Sequence, residues 1–327
     1  MDLRFERVLL AFREPLTTAF GTLEAREVLR VWADGGVGEA APLEPYDGVS
    51  LDAVETALRG AAQETSVEAA LARLDDGPPQ ARAALDVALW DARGRREGRR
   101  VCELLDAAPL DAVPVNALLG ATDRAGASRA AAEAVRAGFR CVKVKVGTGD
   151  DAGRLAAVRA AVGQDVAIRI DANGEWTVSE AIATLRALEP VGIELCEEPV
   201  HGVAALREVR AAVDVPIAMD ETVSREPGAV GSGAADAVCL KVAALGGIGP
   251  LLEAAVATRA AGSDVYVAST FDGPAGIAAA LHAAAALRVT RPCGLATLSL
   301  FADLDDPFPP RDGAIAVPGG PGLGVGL

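Results

Sequence analysis

Basic residues other than arginine are rare in this sequence. Of the 31 basic residues among 327, only three are lysines, at positions 143, 145 and 241, and the chain has only two histidines, which we expect to be structural. The formal net charge is −15 and no basic stripe is present. This argues against a nucleic-acid partner, because no cluster of cations could neutralise phosphates. The scarcity of lysine makes its three positions informative.

Long apolar runs are lacking as well. The nearest candidate, GIAAALHAAAAL at 276–287, is shorter than the roughly 20 residues that cross a bilayer, so we expect no membrane segment. The amino-terminal MDLRFERVLL lacks the layout of a secretory signal, and we expect a cytoplasmic protein. The five cysteines form no CxxC pair. Cys141, Cys196 and Cys239 lie in apolar strand-like runs and are predicted to be small buried side chains.

The first third of the chain predicts a separate domain. Alternating apolar residues in 1–33 predict strands, and a turn continues the meander to about Gly38. Apolar residues at helical spacing then predict helices in 51–107. We therefore expect an α+β capping domain over 1–107, and we expect the carboxy-terminal segment 301–327 to pack back on it.

The remainder predicts an α/β barrel over 108–300. Short apolar strands alternate there with helices, which is typical of a parallel sheet. The number of strand–helix units indicates a (β/α)7–8 barrel of the triosephosphate isomerase type. An open doubly wound sheet is the rival, but no glycine-rich phosphate turn follows the first strand. The predicted strands are 113–119, 141–146, 166–171, 193–198, 216–221, 237–242, 264–270 and one near 294–300.

Charged residues interrupt these strands at one recurring place. They lie at or near the carboxyl end of a strand, and the steps between them are 26, 26, 23 and 21 residues, about one strand–helix unit each. The set is Lys145, Asp171, Glu197, Asp220 and Lys241. Because barrel active sites assemble at the carboxyl ends of the strands, we expect these side chains to meet. A single acid at a strand end could merely cap a loop, but three in register beside the lysines favour a site.

The chemistry of this set points to a cation. Side chains alternate along a strand, so Lys143 and Lys145 share one face and would point into the barrel if the alternating valines pack against the helices. Three converging carboxylates raise one another's pKa unless a cation lies between them, and hard oxygen ligands suit Mg²⁺. Lysine is also the best base on offer, because a desolvated lysine can lose its proton whereas arginine stays protonated.

Five stretches together resemble the enolase superfamily, specifically its muconate-lactonizing subgroup, and the resemblance extends over essentially the whole chain. They are VKVKVG, RIDANGEW, CEEPV, AMDETV and VCLKVAALGG. The resemblance implies a Mg²⁺ cofactor, with Mn²⁺ as an alternative, that stabilises the enediolate formed when a proton α to a carboxylate is removed. The implied metal ligands are Asp171, Glu197 and Asp220.

The same resemblance implies roles for the lysines. Lys145 would abstract the proton, and Lys241 would be its partner on the opposite side of the barrel. Lys143 would hold Lys145 in its neutral form and touch a substrate carboxylate oxygen. Asn173 would touch the site from the end of the strand that carries Asp171.

Later segments resemble the o-succinylbenzoate synthases of menaquinone biosynthesis. They are VPVNALLGA, VASTFDGPAGIAAALHAAAAL and CGLATLSLFADLDDPFPPRDGAIAVPGGPGLGV. This resemblance implies a lyase with a small carboxylate substrate, and a syn dehydration of 2-succinyl-6-hydroxy-2,4-cyclohexadiene-1-carboxylate. Ser269, Thr270 and Gly276 would line the pocket of the succinyl tail, although Ser269 and Thr270 could equally cap a helix.

Other functions stay open. A dipeptide epimerase or N-succinylamino acid racemase of the same fold would use the two opposed lysines for a 1,1-proton transfer. Asp303 and Asp305 resemble the paired aspartates by which dipeptide epimerases hold a substrate ammonium, but an acidic loop end is the simpler interpretation, and VASTFDG departs from that group's pattern. A barrel retained only for binding is a third hypothesis. A homo-oligomer is compatible with the sequence.

The capping domain is expected to shape the substrate site. Its loops around Arg13–Thr22 and Leu43–Gly48 would close over the barrel mouth and exclude water. Arg13 and Tyr46 are candidates for substrate contact, but positions at a strand edge and in a turn explain them equally well, so they receive no role.

Overall fold

The computed structural model describes residues 2–18, 21–120, 123–147, 149–226 and 228–326. Its amino-terminal part contains an antiparallel sheet of order β1-β2-β3, formed by β1 (Leu3–Thr18), β2 (Gly21–Ala33) and β3 (Gly36–Ala40). The pairing of β1 with β2 shifts register between Ala11 and Leu16 and then continues to Thr18. The loop predicted at 13–22 is therefore largely strand, because pairing resumes beyond the bulge; its residues 19–20 lie outside the described ones.

Among its described residues, five helices follow the sheet. They are α1 (Glu44–Asp47), α2 (Leu51–Ala61), α3 (Val67–Asp75), α4 (Pro79–Glu97) and α5 (Val101–Leu105). The long helix α4 lies directly on β3, because a Cβ at Gly38 would come within 2.1 Å of the Ala84 carbonyl oxygen. Apolar side chains of β2, α2, α3 and α4 form a core of their own beneath the sheet.

The predicted α/β barrel architecture is confirmed by a seven-stranded parallel sheet of order β11-β10-β9-β8-β7-β6-β5. The predicted strand 113–119 divides in two, because β4 (Ala112–Pro114) pairs with the distant β12 (Ala314–Ala316) instead of a barrel strand. The barrel strands are β5 (Ala117–Leu119), β6 (Cys141–Lys145), β7 (Ala167–Asp171), β8 (Ile193–Glu197), β9 (Ile217–Met219), β10 (Ala237–Leu240) and β11 (Asp264–Val267).

Helices between the strands surround the sheet. They are α6 (Arg124–Arg136), α7 (Asp151–Val162), α8 (Val178–Leu188), α9 (Val203–Ala212), α10 (Glu221–Arg225), α11 (Val242–Leu245), α12 (Ile248–Ala260) and α13 (Pro274–Ala286), with 3-10 turns at Glu189–Val191 and Leu298–Leu300. Among the described residues, no helix combines the length and apolarity needed to cross a membrane. Cys141, Cys196 and Cys239 lie in barrel strands and are buried, as predicted.

Two residues join the first and last strands of the parallel sheet and so close it into a ring. Cys293 bridges in parallel to Val115, just before β5, and Gly294 bridges in parallel to Ala268, just after β11. The eighth position of the barrel is thus occupied by a segment of two residues. The strand predicted near 294–300 is wrong, because the chain turns at Thr297, whose N–H donates to the Leu295 carbonyl at 2.9 Å, and continues as a 3-10 turn.

The carboxy-terminal segment returns to the amino-terminal part. Phe301 stacks on Phe12 with ring centroids 4.9 Å apart, and the Leu323 N–H donates to Asp91 of α4 at 2.7 Å. These contacts tie the segment to the capping sheet and its long helix.

Candidate active site

The structure brings the five predicted strand-end residues together. Lys145, Asp171 and Glu197 are the last residues of β6, β7 and β8, and the registers Lys145↔Asp171 and Asp171↔Glu197 place them at one level of the sheet. Asp220 and Lys241 directly follow β9 and β10. All five, together with Lys143, line one cavity.

Lys143 and Lys241 form ion pairs with the acids of this cluster, and the Lys241–Asp220 pair is buried. The Lys143 ammonium lies between Asp171, with Nζ 2.9 Å from Oδ2, and Glu197, with Nζ 2.6 Å from Oε1. The Lys241 ammonium donates to Asp220. The two pairs share the barrel interior, since carboxylate oxygens of Glu197 and Asp220 lie within 4.8 Å of each other.

Both tyrosines of the chain bind the acids of the cluster. The Tyr46 hydroxyl accepts a hydrogen bond from Lys241 Nζ at 2.8 Å and donates to Asp220 Oδ1 at 3.0 Å. The Tyr266 hydroxyl donates to Glu197 Oε2 at 2.7 Å. Sequence reasoning assigned Tyr46 no role and did not consider Tyr266. The signal that could have found them is rarity, because the chain has only two tyrosines.

The three lysines differ in their protonation. Burial favours the neutral form of Lys143 and Lys241, but the adjoining carboxylates outweigh it and raise the pKa of both well above the ordinary value. Burial lowers the pKa of Lys145, and the neighbouring Lys143 ammonium adds to this effect. Lys145 is therefore the lysine of the cluster that loses its proton most easily.

The carboxylates also differ. Burial disfavours a charged Glu197, but Lys143 and Lys241 overcome it and lower its pKa to about 2. Burial raises the pKa of Asp220 to about 6 in spite of Lys241, and burial likewise raises the pKa of Asp171. Additional positive charge between these acids would favour their ionised forms.

Asn173 and Glu221 add two polar side chains to the cavity wall. The Asn173 N–H donates to Asp171 Oδ1 at 3.0 Å, and its side-chain amide donates to Glu221 Oε1 at 2.9 Å. Asn173 Oδ1 and Glu221 Oε2 are buried and find no hydrogen-bond partner among the described residues. Both residues line the cavity, so these atoms are suited to a bound group.

Hydrogen bonds to Glu198 hold the turn that carries Asp220. The Glu198 side chain is fully buried and accepts hydrogen bonds from the backbone N–H groups of Asp220 at 2.7 Å and Thr222 at 3.0 Å. His201 Nδ1 lies 3.0 Å from Glu198 Oε1. The histidine thus contacts the support of the cluster, in keeping with the structural role expected for it.

The cavity has a volume of about 150 Å³ and extends from the acids to the capping domain. Ser269 and Thr270 line it, as do Leu16, Thr17, Thr18, Leu43 and Tyr46 of the capping domain. The structure does not bring Gly276 to it. That residue lies in α13, where a Cβ would come 2.7 Å from Asp272 Cβ and 3.0 Å from Glu39 Oε1.

Three other candidates lie away from the described lining of the cavity. Asp303 and Asp305 are exposed and are not among the lining residues. Arg13 is exposed and its Nε donates to the Ser299 carbonyl at 3.0 Å. Neither acid is placed to hold an ammonium group in the cavity.

The donor set fits a hard divalent cation. Asp171, Glu197 and Asp220 are 8%, 1% and 5% exposed, and all three present carboxylate oxygens to one cavity. Buried carboxylates of this kind are the preferred ligands of Mg²⁺. A sulfur is also near, since Cys239 Sγ lies within 4.8 Å of ligand atoms of Glu197 and Asp220.

Family comparisons agree with this architecture. The family model described as the mandelate racemase / muconate lactonizing enzyme N-terminal domain matches residues 2–106, and that described as enolase C-terminal domain-like matches residues 126–327. The chain belongs to the mandelate racemase and muconate lactonizing enzyme family. It is an enzyme of the enolase superfamily, in its muconate-lactonizing subgroup, and is similar to o-succinylbenzoate synthases.

Two kinds of relative stand out within the family. The L-Ala-D/L-Glu epimerase of Bacillus subtilis (strain 168) is 30% identical over 98% of this chain and 94% of the relative. The o-succinylbenzoate synthase of Mycobacterium tuberculosis (strain ATCC 25618 / H37Rv) is 44% identical, over 63% of this chain and 64% of the relative. The first similarity extends over more of the chain, and the second is stronger where it applies.

Similar solved structures include an epimerase and a muconate lactonizing enzyme. The substrate-liganded L-Ala-D/L-Glu epimerase from Bacillus subtilis superposes with a TM-score of 0.89 at 30% identity, covering 99% of this chain and 97% of that one. The muconate lactonizing enzyme from Pseudomonas fluorescens with muconolactone gives 0.87 at 28% identity, covering 100% and 96%. Members of the family with this fold thus catalyse different reactions.

Proposed function

We propose that this chain is an o-succinylbenzoate synthase, a Mg²⁺-dependent lyase that dehydrates 2-succinyl-6-hydroxy-2,4-cyclohexadiene-1-carboxylate in menaquinone biosynthesis. The observation that carries the proposal is the pair Lys145 and Lys241 on opposite sides of one cavity. Three strands separate β6 from β10 in a ring of eight positions, and those three strands carry the acids. The 44% identity to a synthase supports the choice of substrate.

Asp171, Glu197 and Asp220 are the proposed metal ligands. When bound there, a divalent cation supplies electrostatic stabilisation of the negative charge that develops on the substrate carboxylate. Glu197 is oriented by Tyr266, and the backbone of Asp220 is oriented by Glu198. Such supporting hydrogen bonds hold ligand oxygens in place.

Lys145 is the proposed base. In its neutral form its Nζ takes the proton α to the carboxylate, and the lowered pKa makes that form accessible. The resulting ammonium lies on the face from which the proton left, so it can return the proton to the departing hydroxyl. The C–H and C–O bonds break, water leaves, and the elimination is syn.

Lys241 stays protonated throughout these reaction steps. Its ammonium is held by Asp220 and by the Tyr46 hydroxyl, and its pKa is well above the ordinary value. A fixed positive charge opposite the base stabilises the planar anion without exchanging protons. Lys143 bridges Asp171 and Glu197 and favours the neutral form of Lys145.

The part of the cavity lined by Ser269 and Thr270 would receive the succinyl tail, whose terminal carboxylate accepts hydrogen bonds. Ser269 offers a hydroxyl there, whereas the Thr270 hydroxyl donates to Asp272 Oδ1 at 2.9 Å. Outside the proposed metal ligands, Glu221 is the one acid among the described lining residues, and Asn173 binds one of its oxygens. A substrate ammonium would therefore find little counter-charge in this region.

A 1,1-proton transfer is the second candidate. The epimerase similarity over 98% of the chain favours it, and two opposed lysines could deliver and remove a proton on the two faces of a carbon. Against it, Asp303 and Asp305 are exposed and lie away from the described cavity lining. The pKa of Lys241 also lies far above that of Lys145, which disfavours an exchange of roles.

The test is a direct comparison of reactions. Purified protein with Mg²⁺ is assayed for dehydration of the cyclohexadiene carboxylate by the absorbance of the aromatic product. It is assayed in parallel with dipeptides and N-succinylamino acids in D₂O, where NMR detects exchange of the α-proton. We expect rapid dehydration, and rapid epimerisation without dehydration would overturn the proposal in favour of the second candidate.

Variants distinguish catalysis by this site from a contaminating activity. Lys145→Ala should abolish dehydration with the fold retained. The matched control Arg124→Ala removes an exposed cation that pairs with Asp150 and should leave the rate unchanged. Full activity of Lys145→Ala would instead favour a barrel used only for binding.

A further inference from the structure

A buried charged cluster lies where the capping domain meets the barrel. It consists of Arg26 on β2, Glu39 on β3 and Asp272 in the loop between β11 and α13, which are 6%, 5% and 4% exposed. None of the three is among the described residues that line the cavity, so the proposed mechanism does not use them. Buried ionisable groups are costly and call for an explanation.

Arg26 binds carbonyl groups from both sides of the domain junction. Its Nε donates to the Thr270 carbonyl at 3.3 Å on the barrel side. Its Nη2 donates to the carbonyls of Ala41 at 3.2 Å and Pro42 at 2.8 Å on the capping side. Thr270 lines the cavity, and Pro42 leads directly into Leu43, which lines it from the other side.

The two carboxyl groups bind the same loop of the barrel. Glu39 Oε1 accepts a hydrogen bond from the Gly273 N–H at 2.6 Å, directly before α13 begins. Asp272 Oδ1 accepts from the Thr270 N–H at 3.0 Å and from its hydroxyl at 2.9 Å. Burial and the Asp272 charge raise the pKa of Glu39 to about 8, so Glu39 is largely neutral at pH 7.

Two glycines make room for the cluster. A Cβ at Gly273 would come 2.4 Å from Glu39 Oε2, and a Cβ at Gly276 would come 3.0 Å from Glu39 Oε1 and 2.7 Å from Asp272 Cβ. These distances are shorter than ordinary van der Waals contacts. The glycine at 276, predicted to touch substrate, is thus explained by the approach of the capping domain.

We propose that Arg26, Glu39 and Asp272 form a positioning cluster that sets the barrel wall of the cavity, Ser269–Phe271, in register with its capping wall, Leu43–Tyr46. The capping wall carries the Tyr46 hydroxyl, which must reach Lys241 on the barrel. The inference rests on the proposed function only for the statement that a substrate fits between the two walls.

The experiment removes the link and then restores it. Glu39→Ala deletes the acceptor of the Gly273 N–H, whereas Glu39→Gln keeps a neutral acceptor of the same shape. Asp91→Ala is the matched control, because Asp91 is also a fully buried carboxyl that binds backbone N–H groups, those of Val37 and Leu323. Amide hydrogen exchange, KM, kcat and calorimetric Mg²⁺ affinity are measured for each variant.

We expect Glu39→Ala to accelerate exchange in both 41–47 and 268–276. KM should rise about tenfold with a smaller fall in kcat. The affinity for Mg²⁺ should stay within about twofold of the wild-type value, since no hydrogen bond among the described residues joins the cluster to Glu197 or Asp220. Glu39→Gln should restore all of these values. Asp91→Ala should lower the melting temperature without raising KM.

A second pair of variants approaches the cluster from the barrel. Gly276→Ala should reproduce the effects of Glu39→Ala, whereas Gly249→Ala in α12 meets only an ordinary contact, 3.8 Å from Asp86 Oδ1, and should not. The inference is overturned if either Glu39→Ala or Gly276→Ala accelerates amide hydrogen exchange in 268–276 but leaves exchange in 41–47 unchanged. If the wild type dehydrates no substrate, the proposed function fails, and the exchange data still decide whether the two walls are coupled.

Discussion

Replacing Tyr46 by phenylalanine isolates one hydroxyl at the centre of the cluster. The hydroxyl accepts from Lys241 Nζ at 2.8 Å and donates to Asp220 Oδ1 at 3.0 Å. The ring is retained, so the contact of the Lys241 ammonium with its face, 4.6 Å from the centroid, should persist. Any effect then reports the loss of the hydroxyl group.

The expected magnitude follows from the charge of both partners. A hydrogen bond to a charged group contributes about 1.5–3 kcal/mol, and each 1.36 kcal/mol is about tenfold in rate. If the hydroxyl keeps Lys241 aligned with the charge of the transition state, kcat for dehydration should fall about 10- to 150-fold. KM should change less, because the hydroxyl acts on an ammonium that matters most as charge develops.

The assay is steady-state dehydration at saturating Mg²⁺, with circular dichroism to check the fold. Ser263→Ala is the control, because it also removes a buried hydroxyl, one that donates to the Ala235 carbonyl at 2.6 Å away from the cavity. That variant should lose stability but not kcat. A fall in kcat of less than threefold in folded Tyr46→Phe would refute the reasoning.

Three further outcomes are expected. Lys143→Met leaves Asp171 and Glu197 without their ammonium. In a urea titration of the metal-free protein, the free energy of unfolding should fall by about 3–5 kcal/mol, and Mg²⁺ should restore part of this loss. An equal loss with and without Mg²⁺ would count against a shared cation site. The pH profile of kcat/KM should rise as Lys145 loses its proton, below the ordinary lysine pKa of 10.5, because burial lowers that pKa; a rising limb at or above 10.5 would exclude Lys145 as the base. Glu39 has a folded-state pKa of about 8 against an ordinary 4.5, so between these pH values the native state holds a proton that the unfolded chain has released. The free energy of unfolding should therefore fall by up to about 5 kcal/mol as the pH rises from 4.5 to 8. Glu39→Gln should flatten this slope in unfolding titrations at several pH values, and an unchanged slope would show that other groups cause it.

The strand-end residues could be predicted because they depend on local regularity. Each of Lys145, Asp171 and Glu197 ends a strand, and parallel strands of one barrel bring their carboxyl ends to one face. The alternation of side chains along β6 likewise placed Lys143 on the inner face with Lys145. No long-range contact had to be known.

The tyrosines could not be predicted in this way. Tyr46 and Asp220 are 174 residues apart, and Tyr266 and Glu197 are 69 apart. Their contacts depend on how the capping domain docks and on which strands face β11 across the barrel. The same holds for Gly276, whose neighbour Glu39 comes from the capping sheet.

The amino-acid sequence by itself determined the periodic parts of this protein: the order of strands and helices and the row of charges at the strand ends. Only the tertiary structure decided which acid each lysine neutralises, how two residues, Cys293 and Gly294, complete the ring, and how Arg26 and Glu39 join the domains. The physical reason is that periodicity reports the surroundings of a residue along its own element. The protonation of a buried group depends instead on whatever distant segment packs against it.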